Sequence, residues 1–381
     1  MTKNNKLLIL INDLNFFCSH RLPIAEASKK KGFDVVIGYG ELTGADPLSL
    51  EKKGFKVVHI PMKRGGFNLF KDIKTLFHIW NFFKREKPNI VHLVTIKPYL
   101  YGGIISRFTG IECIVSAVSG LGSLFLKNDL KNKIILKLLF PLYRMAFNHH
   151  NQKIILQNRD DEKFLLKWGV LGLDKVQIIK GSGVKLKSFT ELKEHDGIPV
   201  VCLAARLLKD KGIYDFVSAA VIIRKRNIKA RFCIAGDIDI NNPSSLNKND
   251  IKKIEEEGFV EILGYRNDIP ALYSKSHIIC LPSYREGLPK SLIEGAAAGR
   301  AIVTTDVPGC RDAIIPNKTG ILVPVKNPQK LADAIQWLIE NPKKRVEMGK
   351  AGRVFAVKEF PLEKIVQNHL DIYEELIQNL L

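Results

Sequence analysis

Two carboxylates eight positions apart, Glu286 and Glu294, are the side chains of this sequence best placed to do chemistry. An apolar run at 278–282 precedes them and predicts a buried strand, and a second such run follows at 301–305. Pro289 favours the first position of a helix, where no N–H is needed. Ligands of open α/β sheets bind beyond the carboxyl ends of strands, so this loop-to-helix corner is a candidate binding site.

The predicted helix start has the properties of an anion site. The amides of Lys290, Ser291 and Leu292 would have no partner within the helix, and the helix dipole favours negative charge beside them. Gly287 allows the backbone to approach a ligand closely. A phosphate on the amides, with a sugar ring on each carboxylate, would suit a sugar nucleotide. Acidic residues also occur at ordinary helix starts, so the corner alone leaves a purely structural interpretation open.

The length and composition indicate two domains and no bound metal. A chain of 381 residues suits two domains rather than one. Its apolar runs are too short for a transmembrane helix, and residues 1–11 do not predict a signal peptide. The six scattered cysteines predict free thiols in a reducing cytoplasm. Because the cysteines and histidines show no metal-ligand spacing, we expect neither a metal nor a cofactor.

The net charge of +20 predicts an anionic partner, and most of the surplus lies in residues 1–180. The partner could be a nucleic acid, a membrane surface or a phosphate-bearing substrate, although the surplus could also serve only general solubility. No RNP-type aromatic motif, helix-turn-helix signature or zinc spacing supports nucleic acid. The segment 126–150 could lie along an anionic membrane, or it could pack on its own domain as a surface helix. Its basic residues are Lys127, Lys131, Lys133, Lys137 and Arg144.

Alternating strands and helices predict an α/β protein with two doubly wound parallel sheets. The predicted strands of the first half are 7–11, 35–38, 57–60, 90–94, 113–117 and 153–156, and those of the second are 200–204, 231–235, 260–263, 278–281, 301–304 and 321–323. We expect a first domain at 1–185, a second at 196–361, and a final helix at about 362–381 that could pack back on the first. Neither half has G-x-G-x-x-G after its first strand, which argues against a dinucleotide cofactor.

The order and spacing of several segments resemble the family 4 glycosyltransferases, which have the GT-B fold and a paired-glutamate E-x7-E motif. The matching segments of the second half are 204–212, 234–237, 263–270, 281–299, 305–309 and 320–323. The resemblance covers most of the chain. It implies two Rossmann-like domains that face one another across a cleft, a nucleotide-sugar donor, and no metal.

The first half is similar to a subgroup that transfers N-acetylhexosamine to polyprenyl-diphosphate-linked sugars, through the segments 17–23, 95–103, 118–122 and 181–184. This similarity implies a lipid-linked acceptor used to build surface glycans or glycoprotein glycans. It also implies a peripheral place at the cytoplasmic face of the cell membrane. The acceptor-side residues implied by position are His20, Arg21, Lys97, Tyr101 and Gly120.

The family resemblance also implies roles for residues of the second half. Arg206 and Lys211 would neutralise the leaving donor diphosphate, and Glu286 would hold hydroxyls of the donor sugar; these three are the candidate catalytic residues. Glu294 would hold the ribose. The donor site would be completed by Leu263, Tyr265 and Arg266 near the base, and by Gly287, Leu288, Pro289, Lys290 and Ser291. The family retains the anomeric configuration. A double displacement would need a carboxylate nucleophile below the sugar, and the sequence offers no candidate. The resemblance therefore implies a front-side route in which a phosphate oxygen takes the proton of the acceptor hydroxyl.

Three features depart from the family pattern. Many members have a glycine pair after the first strand, where this chain has 12–17, so His20 or Arg21 could take over that phosphate contact. Position 185 is Lys where relatives often have Asp. Asp237 and Asp239 resemble the metal-binding DxD motif of another transferase fold, and we interpret this match as a coincidence.

Two other enzyme classes remain open. A sugar-nucleotide 2-epimerase, such as one that acts on UDP-GlcNAc, would have the same two domains. It would not be expected to need Arg206, Lys211 and the paired glutamates in this arrangement. A glycosyltransferase with a soluble acceptor would fit the same donor site.

Overall fold

The structure, a computed structural model, describes residues 5–66, 68–121, 130–190 and 193–380. These residues form two compact units. The first contains the described residues up to Ile179 and those from Lys364 onward, and the second extends from Lys180 to Glu363. The chain therefore returns to its first unit at its C-terminal end. None of the described helices is long and apolar enough to cross a membrane.

The first unit is built on a sheet of seven parallel strands in the order β3-β2-β1-β4-β5-β6-β7. The strands are β1 (Lys6–Asp13), β2 (Asp34–Glu41), β3 (Lys56–His59), β4 (Ile90–Val94), β5 (Cys113–Val118), β6 (Gln152–Leu156) and β7 (Val176–Ile178). Because successive side chains of a strand point to opposite faces, β1 supplies Leu8 and Leu10 to one core, and Leu7 and Ile9 to another.

Helices cover both faces of this sheet. They are α1 (Leu14–His20), α2 (Leu22–Lys30), α3 (Pro47–Lys52), α4 (Leu69–Glu86), α5 (Gly103–Thr109), α6 (Leu130–Phe147) and α7 (Arg159–Lys167). Helices α4, α5 and α6 pack on one face through residues such as Ile79, Ile105 and Tyr143, whereas α1 and α2 pack on the other through Phe17 and Ile24.

Local signals set the ends of α4, the helix that connects β3 and β4. The side chain of Asn68 accepts a hydrogen bond from the amide of Lys71 at 3.1 Å and caps the first turn. At the other end Lys87 adopts a left-handed conformation, with φ 46°, and Pro88 follows it. The helix therefore stops where a proline prevents its continuation.

The second unit repeats this plan with six parallel strands in the order β10-β9-β8-β11-β12-β13. The strands are β8 (Val200–Ala204), β9 (Arg231–Ala235), β10 (Glu261–Ile262), β11 (Ile278–Leu281), β12 (Ala301–Thr305) and β13 (Gly320–Val323). Its helices are α8 (Ile213–Lys225), α9 (Lys248–Glu257), α10 (Ile269–Ser274), α11 (Lys290–Ala297), α12 (Pro328–Glu340) and α13 (Pro342–Glu359).

The strand order of each sheet reverses once. In the first sheet β1 lies between β2 and β4, and in the second β8 lies between β9 and β11. The predicted α/β fold with two doubly wound parallel sheets is confirmed. The short strand β7 was not predicted, since three residues are too few to show a pattern. Helices leave opposite faces at a reversal point, which opens a crevice at the carboxyl ends of the strands.

The last helix, α14 (Leu362–Gln378), packs into the core of the first unit through Ile365, Leu370 and Tyr373. It also closes over a buried polar cluster. His92 Nδ1 lies 2.5 Å from the Tyr373 hydroxyl, and His369 Nδ1 donates to the carbonyl of Ile365 at 2.8 Å. The two imidazole rings stack with their centroids 5.6 Å apart.

Burial keeps both histidines of this cluster neutral. It lowers the pKa of His369 to about 3, with the charge of Arg21 as the second cause. The pKa of His92 is also well below its usual range, because of burial and then the neighbouring His369 and Arg21. Arg21 is itself buried, so protonating either ring would place a second positive charge in the same interior.

We expect this cluster to make the first unit sensitive to acid. Below about pH 6.5 these two histidines bind protons in the unfolded chain but stay neutral in the folded one. The free energy of unfolding therefore falls by about 1.4 kcal/mol per pH unit for each histidine as the pH drops below that value. Thermal unfolding of the wild type and of His369→Gln would measure this. The Tm of the wild type should fall more steeply on acidification than that of the variant. The Tm of His59→Gln, a change at an exposed position, should depend on pH as the wild-type Tm does. The same dependence of Tm on pH in all three proteins would contradict the expectation.

Candidate active site

The predicted donor residues lie beyond the carboxyl ends of strands in the second sheet. Arg206 and Lys211 follow β8, and Glu286 follows β11, on the two sides of the point where the strand order reverses. Parallel strands bring their carboxyl ends to one edge. Chain segments about 75 positions apart are thereby placed side by side.

Lys211 and Glu286 form a direct ion pair, with Nζ 2.5 Å from Oε1 and both side chains mostly buried. Two hydrogen bonds to the carbonyl of Asp210 tie their loops together: the amide of Tyr284 donates at 2.9 Å and the Ser283 hydroxyl at 3.0 Å. Gly212 closes the same contact with φ 72°, and a Cβ atom there would overlap the Pro282 carbonyl. The pair is therefore held by the backbone of both loops.

Glu286 is also supported from the β12 side. Its amide donates to the carbonyl of Pro308 at 3.2 Å. Gly309, at φ 80°, packs directly on the backbone carbonyls of Glu286 and Gly287, where any side chain would collide. The position of this carboxylate is thus fixed by three segments that follow β8, β11 and β12.

Arg206 pairs with a carboxylate that the sequence did not assign to it. Its Nη1 lies 2.6 Å from Oδ2 of Asp239, which is buried and whose amide donates to the Ser245 hydroxyl at 2.9 Å. The guanidinium remains about half exposed. Among the described residues there is no group of three or more His, Cys, Asp or Glu side chains that could hold a metal ion. Asp239, the second aspartate of the DxD-like match, thus holds Arg206 in place.

The helix start differs from the prediction by one residue. Pro289 is extended, with φ −72° and ψ 121°, and α11 begins at Lys290. The amides of Leu292 and Ile293 both donate to the Pro289 carbonyl, at 3.2 and 3.4 Å. The prediction that Pro289 occupies the first helical position is wrong, because its carbonyl accepts the first bonds of the helix and makes it the capping residue. The amide of Leu292 is therefore not available to a ligand.

Glu294 lies one turn into α11, with its side chain 14% exposed. Burial raises the pKa of this carboxyl above its usual range, and the ammonium of Lys290, 3.6 Å away, opposes the effect. A hydrogen bond from a ligand hydroxyl to this carboxylate would be stronger than one at the surface, since few waters compete for the carboxylate.

The other predicted donor residues lie on the same edge. Tyr265, in the loop after β10, is 70% exposed, and Arg266 makes two hydrogen bonds to Asp268, at 2.7 and 2.6 Å. Leu263 is half-buried, Gly287 is buried, Ser291 is half-buried in the first turn of α11, and Leu288 packs against Gly181. An exposed tyrosine beside this edge offers a flat surface for a nucleotide base.

The predicted acceptor-side residues lie in the first unit and fall into two groups. Lys97 and Tyr101 come together at the end of β4, where Lys97 Nζ lies 2.8 Å from Oδ1 of Asp72 and 6.0 Å from the centre of the Tyr101 ring. Burial, and then the neighbouring Asp72 carboxylate, raises the pKa of Tyr101 above its usual range. Gly120, with φ 112°, follows the neighbouring strand β5. Gly122 of the predicted segment lies outside the described residues.

His20 and Arg21 form the other group, at the end of α1. His20 stacks on Phe16 with ring centres 4.1 Å apart. Arg21 is buried, and its guanidinium donates to the carbonyl of His20 at 3.2 Å and the hydroxyl of Ser119 at 3.5 Å. Arg21 is therefore placed to support the end of α1 and the loop after β5 from inside. A direct ligand contact of His20 or Arg21 remains a prediction.

The sequence did not single out one polar cluster at the edge of the first sheet. Arg64 donates to Asp13 at 2.8 Å and to Glu41 at 3.0 Å, and the hydroxyl of Thr43 donates to Asp13 at 2.8 Å. Asp13 and Glu41 end β1 and β2. The usable signal is positional, since polar residues at the ends of consecutive parallel strands must meet at one edge.

Comparisons with known proteins agree with this arrangement. The model of the 4-like glycosyl transferases matches residues 6–158, and that of the group 1 glycosyl transferases matches residues 184–355. The chain is a family 4 glycosyltransferase. The transferase is 29% identical, over 94% of its length and 96% of the relative, to the N,N'-diacetylbacillosaminyl-diphospho-undecaprenol alpha-1,3-N-acetylgalactosaminyltransferase of Campylobacter jejuni.

Two further comparisons extend the likeness. The transferase is 25% identical, over 84% of each chain, to the UDP-Gal:alpha-D-GlcNAc-diphosphoundecaprenol alpha-1,3-galactosyltransferase of Escherichia coli. Its fold matches the structure of the Anabaena protein HepE in complex with UDP and glucose, with a TM-score of 0.76 at 16% identity over 97% of this chain and 99% of that one. The predicted GT-B fold and glycosyltransferase activity are confirmed.

We expect Arg206 and Lys211 to bind the diphosphate of the donor. Replacing either with Ala removes a charged hydrogen-bond donor, which should weaken UDP binding by about tenfold to a hundredfold. Calorimetry with UDP as the probe measures this. Arg231→Ala is a matched control, because Arg231 also forms an ion pair, with Glu261 at 2.9 Å, but at the start of β9 on the opposite edge of the sheet. Unchanged affinity in the Arg206 and Lys211 variants would refute the assignment.

We also expect the bond between Glu294 and the donor to weaken in acid. Because burial raises the pKa of Glu294, this group loses its charge at a higher pH than an exposed glutamate. The UDP affinity of the wild type, relative to Glu294→Gln, should therefore fall as the pH drops through the raised pKa. The titration of UDP itself cancels in this ratio. A ratio that does not change with pH would show that Glu294 does not contact the donor as a carboxylate.

Proposed function

We propose that the transferase moves a hexose or N-acetylhexosamine from a UDP-sugar to a polyprenyl-diphosphate-linked sugar, with retention of the anomeric configuration. The observation that carries the donor half is the set of paired charges at one edge of the second sheet: Lys211 with Glu286, Arg206 with Asp239, and Lys290 with Glu294. On this proposal the second unit binds the donor and the first unit binds the acceptor.

Donor binding would rearrange these pairs. A diphosphate carries more negative charge than one carboxylate and would attract Lys211 away from Glu286. Glu286, released at the same moment, could accept hydrogen bonds from hydroxyls of the donor sugar. Arg206 is already exposed on one side and would meet the diphosphate without leaving Asp239. On this proposal the ion pair of Lys211 with Glu286 holds both groups in position before the donor binds.

The transfer step requires charge stabilisation more than acid–base chemistry by side chains. As the bond between the anomeric carbon and the diphosphate breaks, negative charge grows on the leaving oxygen, where Arg206 and Lys211 would stabilise it. The acceptor hydroxyl enters on the same face and forms the new glycosidic bond. Its proton passes to a phosphate oxygen of the departing UDP. Glu286 would hold the sugar in the orientation that this route needs.

The acceptor half rests on the relatives and on the charge of the first unit. The relatives from Campylobacter jejuni and Escherichia coli are both named for sugars carried on diphospho-undecaprenol. The chain carries a net charge of +20, and Lys97 lies at the end of β4, at the reversal point of the first sheet. An anionic, membrane-bound acceptor suits this surface.

We propose that the transferase binds peripherally to the cytoplasmic face of an anionic membrane, in part through α6. This helix packs inward through Tyr143, Ala146 and Phe147, and it exposes Leu130, Ile134 and Leu138 together with Lys133, Lys137 and Arg144. Residues 126–129 of the predicted segment, including Lys127, lie outside the described residues. Apolar side chains flanked by lysines suit the boundary between headgroups and acyl chains.

Mass spectrometry tests the proposed reaction. Purified transferase is incubated with UDP-sugars or GDP-sugars and a pool of polyprenyl-diphosphate-linked sugars, and the mass of the lipid product is measured. A gain of one hexose or N-acetylhexosamine is expected with a UDP-sugar. An epimerised donor formed without acceptor would instead indicate a 2-epimerase, and transfer only to soluble sugars would exclude the lipid acceptor.

We expect Glu286→Gln to lower the transfer rate by about a hundredfold or more, as loss of an orienting charged group does. UDP affinity should be kept or increased, because Lys211 no longer has to leave a carboxylate. Rate and affinity measured on one preparation separate this outcome from misfolding, which would lower both. Wild-type turnover in the variant would refute the role of Glu286.

A further inference from the structure

The outer face of α4 is apolar, but only in the first half of the helix. Leu69, Phe70, Ile73 and Phe77 are all more than half exposed, and Phe70 is 84% exposed. Their spacing places them on one side of the helix. The exposed positions of the second half include Asn81, Lys84 and Arg85 instead. Exposed clusters of large apolar side chains usually mark a contact surface.

This half of α4 lies at the functional edge of the first sheet. A helix that joins two parallel strands runs back along the sheet, so its first turns lie beyond the carboxyl ends of the strands. The same holds for α6, which connects β5 to β6 and exposes Leu130, Ile134 and Leu138 in its first half. Both helices pack on the same face of the sheet. At the carboxyl edge of that sheet, the outer surface of each helix carries exposed apolar side chains.

Lysines alternate with these apolar residues. Lys71 and Lys74 are exposed on α4, Lys63 is exposed just before it, and Lys133 and Lys137 are exposed on α6. A purely apolar groove would suit a protein partner. A row of aromatic and aliphatic side chains flanked by lysines is instead complementary to an anionic bilayer. The apolar side chains can enter the acyl-chain boundary, and the lysines can pair with the anionic headgroups.

The same turn of α4 also reaches the candidate acceptor site. Asp72 points inward from the first turn, where it holds Lys97 at 2.8 Å. The π-helical turn Pro98–Gly102, which contains Tyr101, contacts α4, α5 and α6. Lys97 and Tyr101 are thus flanked by the two helices whose first halves are apolar outside.

We propose that the first half of α4 is a second bilayer contact, which together with α6 holds the carboxyl edge of the first sheet against an anionic membrane. In this position Lys97 meets the diphosphate of a membrane-bound acceptor at the level of the lipid headgroups. The diphosphate replaces Asp72 as the partner of Lys97. The contact with lipid stands on its own, whereas the role of Lys97 rests on the proposed lipid-linked acceptor.

Vesicle sedimentation with the whole transferase tests the contact. Phe70→Ser/Phe77→Ser is compared with Phe108→Ser/Leu173→Ser, whose exposed side chains lie near the opposite edge of the same sheet. On phosphatidylcholine vesicles containing phosphatidylglycerol, the α4 variant should bind at least about tenfold more weakly than the wild type, because two aromatic rings no longer leave water. The control should bind as the wild type does. All three proteins should keep the same UDP affinity and Tm.

Equal binding of the α4 variant and the wild type to these vesicles would overturn the membrane contact. If the oligomeric state of that variant also shifts in solution, this face is instead an interface between copies of the chain. Such a result would leave the proposed reaction standing, because transfer by the wild type to the lipid-linked acceptor pool tests the reaction separately.

The link to the acceptor has its own test. The α4 variant should lose activity on a polyprenyl-diphosphate-linked sugar in vesicles, but keep it on a water-soluble analogue with a short chain and the same diphosphate. Lys97→Ala should raise KM by about tenfold for both acceptors, as the loss of one charged contact does. An unchanged KM in the Lys97 variant would refute the diphosphate contact. Equal loss of activity on both acceptors by the α4 variant would refute its membrane role.

Discussion

Parallel strand pairing is the constraint on which the rest of this transferase depends. Because all strands of a sheet run the same way, their carboxyl ends meet at one edge, and the strand order reverses once, at β1 and β8. Lys211 and Glu286 meet because β8 and β11 are paired. The chemistry of the site is therefore a consequence of strand order, and helix packing serves to hold that order.

The three best-placed cations of the candidate sites share one arrangement. Lys211, Arg206 and Lys97 each lie within 2.8 Å of a mostly buried carboxylate of the same unit. An unpaired cation in such a place would be costly, since a partly buried charge needs a partner. Internal carboxylates keep these side chains oriented. On the proposed function a phosphate would replace the carboxylate partner of Lys211 and of Lys97, and would meet Arg206 beside Asp239.

The fold and the glutamate pair could be predicted because their signals are local. Alternating βα units and the spacing of Glu286 and Glu294 are visible within short stretches. The partners Asp239 and Asp72 could not be predicted, since they lie 33 and 25 positions from the residues they hold. Burial of Arg21 runs against the usual exposure of arginine. The predicted place of Pro289 was wrong by one residue. A capping proline and a first-turn proline differ in ψ, and the sequence does not distinguish them.

Helix α4 shows why a sequence pattern alone underestimates a surface. Its sequence has apolar residues on two sides, and the pattern does not reveal which side faces the core. The structure buries Ile79, Phe82 and Phe83 and leaves Phe70, Ile73 and Phe77 in water. Apolar residues on the outer side of a helix add nothing to the packing of its own domain. Their restriction to the first half of α4, at the edge where the predicted acceptor residues lie, is explained if that half contacts a membrane that carries the proposed acceptor.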